Sequence, residues 1–212
     1  MYKIDYRERI IFKREGNEIN KVFIDKKTKE EILYKDDRTE KEYLIHSMYF
    51  DEEENLENII KVLEEDLEDA KKLAKEKFEG MVDKAGKDYF EGHLTSVAEN
   101  TTTIQGEIVA YLHDIVEDCD LKYENILNIF GYQTALAVDY LTLKEDESYL
   151  KYVEDMKTNP LAVEVKKADL KNNMDLTRLK KIRREDEERV KKYEKAYRLL
   201  EGEINEWPWF KA

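Results

Sequence analysis

From about residue 52 to 79, Leu56, Ile59, Ile60, Leu63, Leu67, Ala70, Ala74 and Phe78 recur at spacings of three and four. That spacing puts them on one stripe of an α-helix. Gly80 suits its end, because a residue without Cβ adopts the left-handed conformation that closes many helices. Comparable spacing predicts helical segments at roughly 89–100, 104–118, 123–130, 133–142, 146–157 and 160–175. A last helix near 184–203 carries Val190, Tyr193, Tyr197, Leu200 and Ile204 on one side. Gly131 stands where a C-terminal cap would follow Phe130. Asn159-Pro160 reads as a helix start, with asparagine as the cap and proline in the first turn.

The beginning of the chain follows another pattern. Ile10-Ile11-Phe12, Val22-Phe23-Ile24 and Ile32-Leu33-Tyr34 are short β-prone runs, separated by the turn-like Gly16-Asn17 and Lys26-Lys27-Thr28. They predict a small antiparallel meander over about residues 8–36. The expected organisation is therefore a small β-containing lobe over residues 1–50 and a helical domain over 51–212.

Composition agrees with a mainly α protein. Only two prolines and seven glycines interrupt a chain rich in Glu, Lys and Leu. Hydrophobic residues make up 41%, enough to build a core in spite of 41% charged residues. No apolar run reaches membrane-spanning length, and Met1-Tyr2-Lys3-Ile4-Asp5 lacks the basic-then-apolar order of a signal peptide. A single cysteine, Cys119, excludes an internal disulfide and a cysteine-cluster zinc site. The expected location is cytoplasmic, with no membrane partner. The net charge of −13 opposes general nucleic-acid binding, but it leaves room for a small phosphorylated substrate if a metal ion and a few lysines reverse the field in one cleft.

Three histidines, His46, His93 and His113, limit the candidates for a metal site. On a regular helix at about 100° per residue, with His113 at zero, Glu117 falls near 40°, Asp114 near 100° and Asp118 near 140°. Ile108, Val109, Leu112, Ile115 and Val116 occupy the other side. A solvated acidic face is the ordinary reading of such carboxylates. The histidine sets this one apart, because adjacent His and Asp offer nitrogen and oxygen to one ion such as manganese, iron or zinc. Asp169 shares a helical face with Val165, Lys166 and Asn173. His93 lies in Tyr89-Phe90-Glu91-Gly92-His93-Leu94, where a packed core histidine is the commoner outcome.

These segments occur in a recognisable order. Lys84-Ala85-Gly86 with Tyr89 and His93 resembles, with three residues instead of two between the tyrosine and the histidine, the K-x-G-x-x-Y-x-x-H segment of the HD-type hydrolase domain of RelA/SpoT homologues, the enzymes that remove the 3′-diphosphate of (p)ppGpp. Leu112-His113-Asp114-Ile115-Val116-Glu117-Asp118 is similar to that family's LLHDxxED segment. Phe130-Gly131, Ala137-Val138 and Leu141-Thr142 resemble its FG…V…LT stretch, and Val165-Lys166-Lys167-Ala168-Asp169 with Asn173-Met174 resembles its KxAD…NM signature. The resemblance covers roughly residues 66–200 and is greatest to the small stand-alone members.

The resemblance implies a helical HD-domain bundle holding one divalent ion, typically manganese, with iron or zinc as alternatives. Carried over by position, the ligands would be His93, His113, Asp114 and Asp169. Glu117 and Asp118 would serve the attacking water, and Lys84, Lys166 and Asn173 would bind substrate or support the site. The chain departs from the family at Asp83, Leu94 and Leu170, where Arg, Pro and Arg are usual. Hydrolysis of another phosphorylated nucleotide or phosphomonoester therefore stands beside (p)ppGpp. A non-catalytic interaction module, using Trp207-Pro208-Trp209-Phe210, is the third reading. Those aromatics more commonly cap a protein's own core.

Overall fold

In the computed structural model, the described residues are 2–15, 18–35 and 53–202. Strands β1 (Tyr2–Asp5), β2 (Ile10–Glu15), β3 (Glu18–Ile24), β4 (Glu31–Lys35) and β5 (Glu53–Glu54) form one antiparallel sheet in the order β4-β3-β2-β1-β5. The meander expected over residues 8–36 is present as β2 to β4. It gains β1 and β5 at one edge. Both additions are short and carry little apolar pattern of their own; they are held by pairing, Ile4 opposite Ile11 and Tyr2 opposite Glu54. That pairing also moves the start of the first helix from residue 52 to Leu56, behind Asn55, whose side chain accepts from the Asn58 backbone.

The helices are α1 (Leu56–Lys77), α2 (Thr95–Glu99), α3 (Ile104–Leu112), α4 (Ile115–Asp118), α5 (Tyr123–Leu141), α6 (Tyr149–Met156), α7 (Pro160–Met174) and α8 (Arg184–Leu200). A π-helical turn at Phe90–Leu94 precedes α2, and a 3-10 turn at Leu176–Arg178 follows α7. Helix α3 is the axis of the bundle. It packs on α1, α2, α5 and α7, and Ile104, Ile108, Val109 and Leu112 are sealed from solvent. Each such side chain contributes roughly 1.5–3 kcal/mol of transfer free energy. Ile4, Ile11, Val22 and Ile24 of the sheet belong to the same apolar core as the helices.

Two contacts fix the β1–β2 turn to the bundle. Arg9, at φ 54°, donates through Nε and Nη2 to the two carboxylate oxygens of Asp66 on α1. Gly131 has φ 76°, and a Cβ there would lie 2.4 Å from the Arg7 carbonyl oxygen. The glycine expected to cap a helix is thus a kink, and α5 runs through residues 123–130 and 133–142 as one bent helix. Asn159 and Pro160 open α7 as expected, with the Asn159 side chain accepting from the Leu161 and Ala162 amides.

The largest departure lies within residues 104–118. A single helix is expected, but α3 ends at Leu112 and α4 begins at Ile115. Asp114 has ψ −1°, far enough from the helical value to turn the chain. His46, Ile204 and Trp207 to Phe210 lie outside the described residues.

Candidate metal centre

The break after α3 is what brings His113 and Asp114 together. On a regular helix consecutive side chains diverge by about 100°. Here His113 Nε2 is 3.1 Å from Asp114 Oδ2. His93 arrives from the π-helical turn, in which the Thr95 amide reaches back to the Phe90 carbonyl; such wide turns re-aim side chains and recur at functional sites. Gly92 permits the approach of the preceding loop, since a Cβ there would meet Asp83 Oδ2 at 2.9 Å. His93 Nε2 then lies 3.3 Å from His113 Nε2 and 3.3 Å from Asp114 Oδ2. Among the described residues these three side chains form a group able to hold a metal ion. Asp169, from α7, adjoins it: its Oδ1 is 3.5 Å from His93 Nε2 and 4.0 Å from His113 Nε2.

The outer partners of the rings decide which nitrogen is available. His113 Nδ1 is 2.7 Å from the Ala110 carbonyl, so it carries the proton and donates. His93 Nδ1 donates to Asn172 Oδ1 at 2.9 Å, and Asn172 is itself oriented by its donation to Ser96 Oγ. Both Nε2 lone pairs consequently point at the same place. Two imidazole lone pairs facing this way repel unless a proton or a metal cation lies between them. This buried arrangement, with carboxylate oxygens alongside, fits a divalent ion of the manganese, iron or zinc type.

The carboxylates are anchored as well. Tyr89 Oη donates to Asp114 Oδ2 at 2.7 Å and reaches Asp118 Oδ2 at 3.4 Å, while its ring stacks on Phe78. Burial and the Asp114 charge raise the Tyr89 hydroxyl far above its usual range, so it stays a donor. Lys166 Nζ donates to Asp169 Oδ2 at 2.9 Å, and the Asn173 amide donates to Asp169 Oδ1. Burial opposes charge on all of these groups. Yet His113 holds Asp114 well below the carboxylate range, and Lys166 does the same, less strongly, for Asp169. Burial would also lower His113, but Asp114 and Asp169 outweigh it and raise the imidazole to about 9.

Glu117 and Asp118 lie on α4, both open to solvent on one side. Burial of the carboxyl, then the nearby Asp114 charge, raises Asp118. Burial raises Glu117 too, against the Leu143 amide, which donates to Glu117 Oε1. That hydrogen bond ties Glu117 to the segment after α5, a contact that a regular wheel through residue 118 does not anticipate.

A cationic wall stands beside the centre. Arg178 Nη1 donates to Asp83 Oδ2, and Nη2 donates to Asn173 Oδ1, each at 3.3 Å. Among the described residues the buried Arg178 Nε has no hydrogen-bond partner. Asp83 Oδ1 accepts from the Ala85 and Lys87 amides and so shapes the loop that presents Lys84. Burial lowers Lys84, and the charges of Arg189 and Arg178 lower it further. Arg178, Asn172 and Tyr89 are functional candidates that residue spacing did not single out. Only Tyr89 carried a signal, as a member of the K-x-G-x-x-Y-x-x-H segment.

A solved structure described as a metazoan ortholog of SpoT that hydrolyzes ppGpp and plays a role in starvation responses matches with a TM-score of 0.54 and 20% identity. The match covers 64% of this chain and 84% of that one. The two share a fold. It is the mainly helical, HD-type bundle expected from the motifs, here with the small antiparallel sheet. No family model and no curated protein sequence matches the chain. No helix among the described residues is long and apolar enough to cross a membrane.

Proposed function

We propose that the chain is a metal-dependent phosphohydrolase that removes the 3′-diphosphate of (p)ppGpp or a closely related nucleotide. The observation that carries this reading is the convergence of two Nδ1-anchored imidazoles and the Asp114 carboxylate on one point. The fold shared with a described ppGpp hydrolase supports it.

A divalent ion held by His93, His113, Asp114 and Asp169, manganese first and iron or zinc as alternatives, would supply a Lewis acid and a more acidic water. The other tasks fall to side chains. Glu117 and Asp118, both raised from their ordinary values by burial, are the candidates for taking the proton from the attacking water. In the reaction, a water oxygen bonds to the phosphorus attached to the 3′-oxygen. The 3′-oxygen departs with the bonding pair and receives a proton, releasing pyrophosphate. Lys84 and Arg178 would offset charge on the diphosphate. Lys166 and Asn173 keep Asp169 in place.

A second reading keeps the centre and changes the substrate to another phosphorylated nucleotide or phosphomonoester. Asp83 and the fully buried Leu170 favour it, because arginines are usual at both places in the family that the chain resembles. Incubating manganese-loaded protein with ppGpp and a nucleotide panel separates the two. Release of pyrophosphate from ppGpp is expected. Turnover of another compound, with ppGpp left intact, would move the assignment to the second reading.

A further inference from the structure

Helix α7 has two polar faces. With Asp169 at zero and about 100° per residue, Lys166 and Asn173 fall within about 60° of it. Pro160, Lys167 and Lys171 lie within about 20° of the opposite side. On that far side is a cleft of about 690 Å³, lined by Lys21, Lys157, Lys167 and Lys171 together with Tyr34 and Thr158. Its volume is in the range of small-molecule sites, roughly 300–1,000 Å³.

The charge balance of the cleft is the reverse of the chain's. Against a net −13 for the protein, the described residues that line this concavity include four lysines and one acid, Glu164. Glu164 is already committed. Its Oε1 accepts from the Thr102 and Thr103 amides and its Oε2 from the Thr103 hydroxyl, at the start of α3. Lys167 pairs with Glu201 at the rim, and Lys167 and Lys171 both lie over the Tyr197 ring. Lys157, Lys167 and Lys171 bring positive charge to one concavity, which favours an anion there.

One wall is aromatic. Tyr34 is the cross-strand neighbour of Lys21 and is held edge-on by Phe23, with ring centroids 4.9 Å apart. It remains 37% exposed, and its hydroxyl feels the charges of Glu164 and Lys167. A rigid ring beside several lysines suits a ligand with phosphate groups at one end and a flat, less polar body at the other.

We infer that this cleft is a second ligand site, separate from the metal centre, for a phosphorylated small molecule of mononucleotide size. Lys157, Lys167 and Lys171 would hold the phosphate oxygens, and Tyr34 would cover the remainder. The inference does not depend on what the metal centre does.

The test uses the full chain carrying His113→Ala, which removes a ligand from the metal centre, and two probes, inorganic pyrophosphate and ADP. Calorimetry should show saturable binding of ADP, and weaker binding of pyrophosphate, at one site per chain. Lys167→Gln with Lys171→Gln should weaken it by about tenfold or more, the equivalent of losing one charge-assisted hydrogen bond. The exposed Lys157→Glu should do likewise, whereas Lys61→Gln on α1 should not. Should His113→Ala fail to fold, the metal-free wild type serves, with amide shifts at Asn100, Thr158 and Lys171 expected on adding ADP. If neither probe binds, or if binding survives the lysine changes, the site is refuted.

Discussion

Arg178 Nη1 donates to Asp83 Oδ2 across 3.3 Å, linking the 3-10 turn after α7 to the loop that carries Lys84. The chain has an acid at 83 where the family it resembles usually has arginine, and this contact puts a guanidinium back beside that position. Arg178→Ala is expected to raise KM for the hydrolysed nucleotide roughly 10- to 100-fold, from the loss of about 1.5–3 kcal/mol of charged hydrogen bonding. Metal content should be unchanged. Steady-state kinetics check this, and an unaltered KM would remove Arg178 from the substrate wall.

Tyr89 holds Asp114 through one hydroxyl while its ring stacks on Phe78. Tyr89→Phe keeps the stack and deletes the hydrogen bond. Manganese affinity should fall about tenfold, as is usual when an outer partner of a metal ligand is lost, with little change in thermal stability. Manganese titration followed by electron paramagnetic resonance measures it. Undiminished affinity would mean that Asp114 is positioned without Tyr89.

His113 gives the metal-free protein a pH signature. Its pKa rises from an unfolded value of 6.5 to about 9 because Asp114 and Asp169 overcome the opposing effect of burial. A raised pKa contributes stability that is complete below the unfolded value and is lost as pH climbs through the folded one. Chelator-treated protein should therefore lose about 3 kcal/mol between pH 6.5 and 9. Over the same interval manganese should bind more tightly as pH rises, since it competes with that proton. Urea denaturation at a series of pH values tests the first part. A flat stability profile would place the proton elsewhere.

Gly131 combines φ 76° with a backbone neighbour where a Cβ would sit. Gly131→Ala should destabilise the protein by about 2 kcal/mol or more, through both the strained backbone and displacement of the β1–β2 turn. The change should appear as a lower urea midpoint. A midpoint within error of wild type would show that the turn yields easily.

The long helices α1, α7 and α8 were legible because apolar residues repeat along them and because Gly80 and Asn159-Pro160 mark ends. The strands β1 and β5 were not, since two to four residues paired at an edge leave no periodicity to detect. Nor was the reshaping of the site. The turn at Asp114 and the π-helical turn at His93 are departures from regular helix, so a wheel assigned Glu117 to the His113 face without its bond to Leu143. His93 and Asp169 were joined to His113 and Asp114 by resemblance rather than spacing; their approach depends on how the π-helical turn and α7 pack around the end of α3. Arg178 lies just past the recognisable Asn173-Met174 pair, and only the folded chain brings it to Asp83.

The central claim, that His93, His113, Asp114 and Asp169 hold one catalytic divalent ion, is tested most directly by metal stoichiometry and activity on the same samples. Wild-type protein reconstituted with manganese should hold one ion per chain and release pyrophosphate from ppGpp or a related nucleotide. His113→Ala and Asp169→Asn should each lose both the ion and the activity while remaining folded by circular dichroism. Wild-type protein that binds none of manganese, iron or zinc, or variants that keep full activity, would contradict the account.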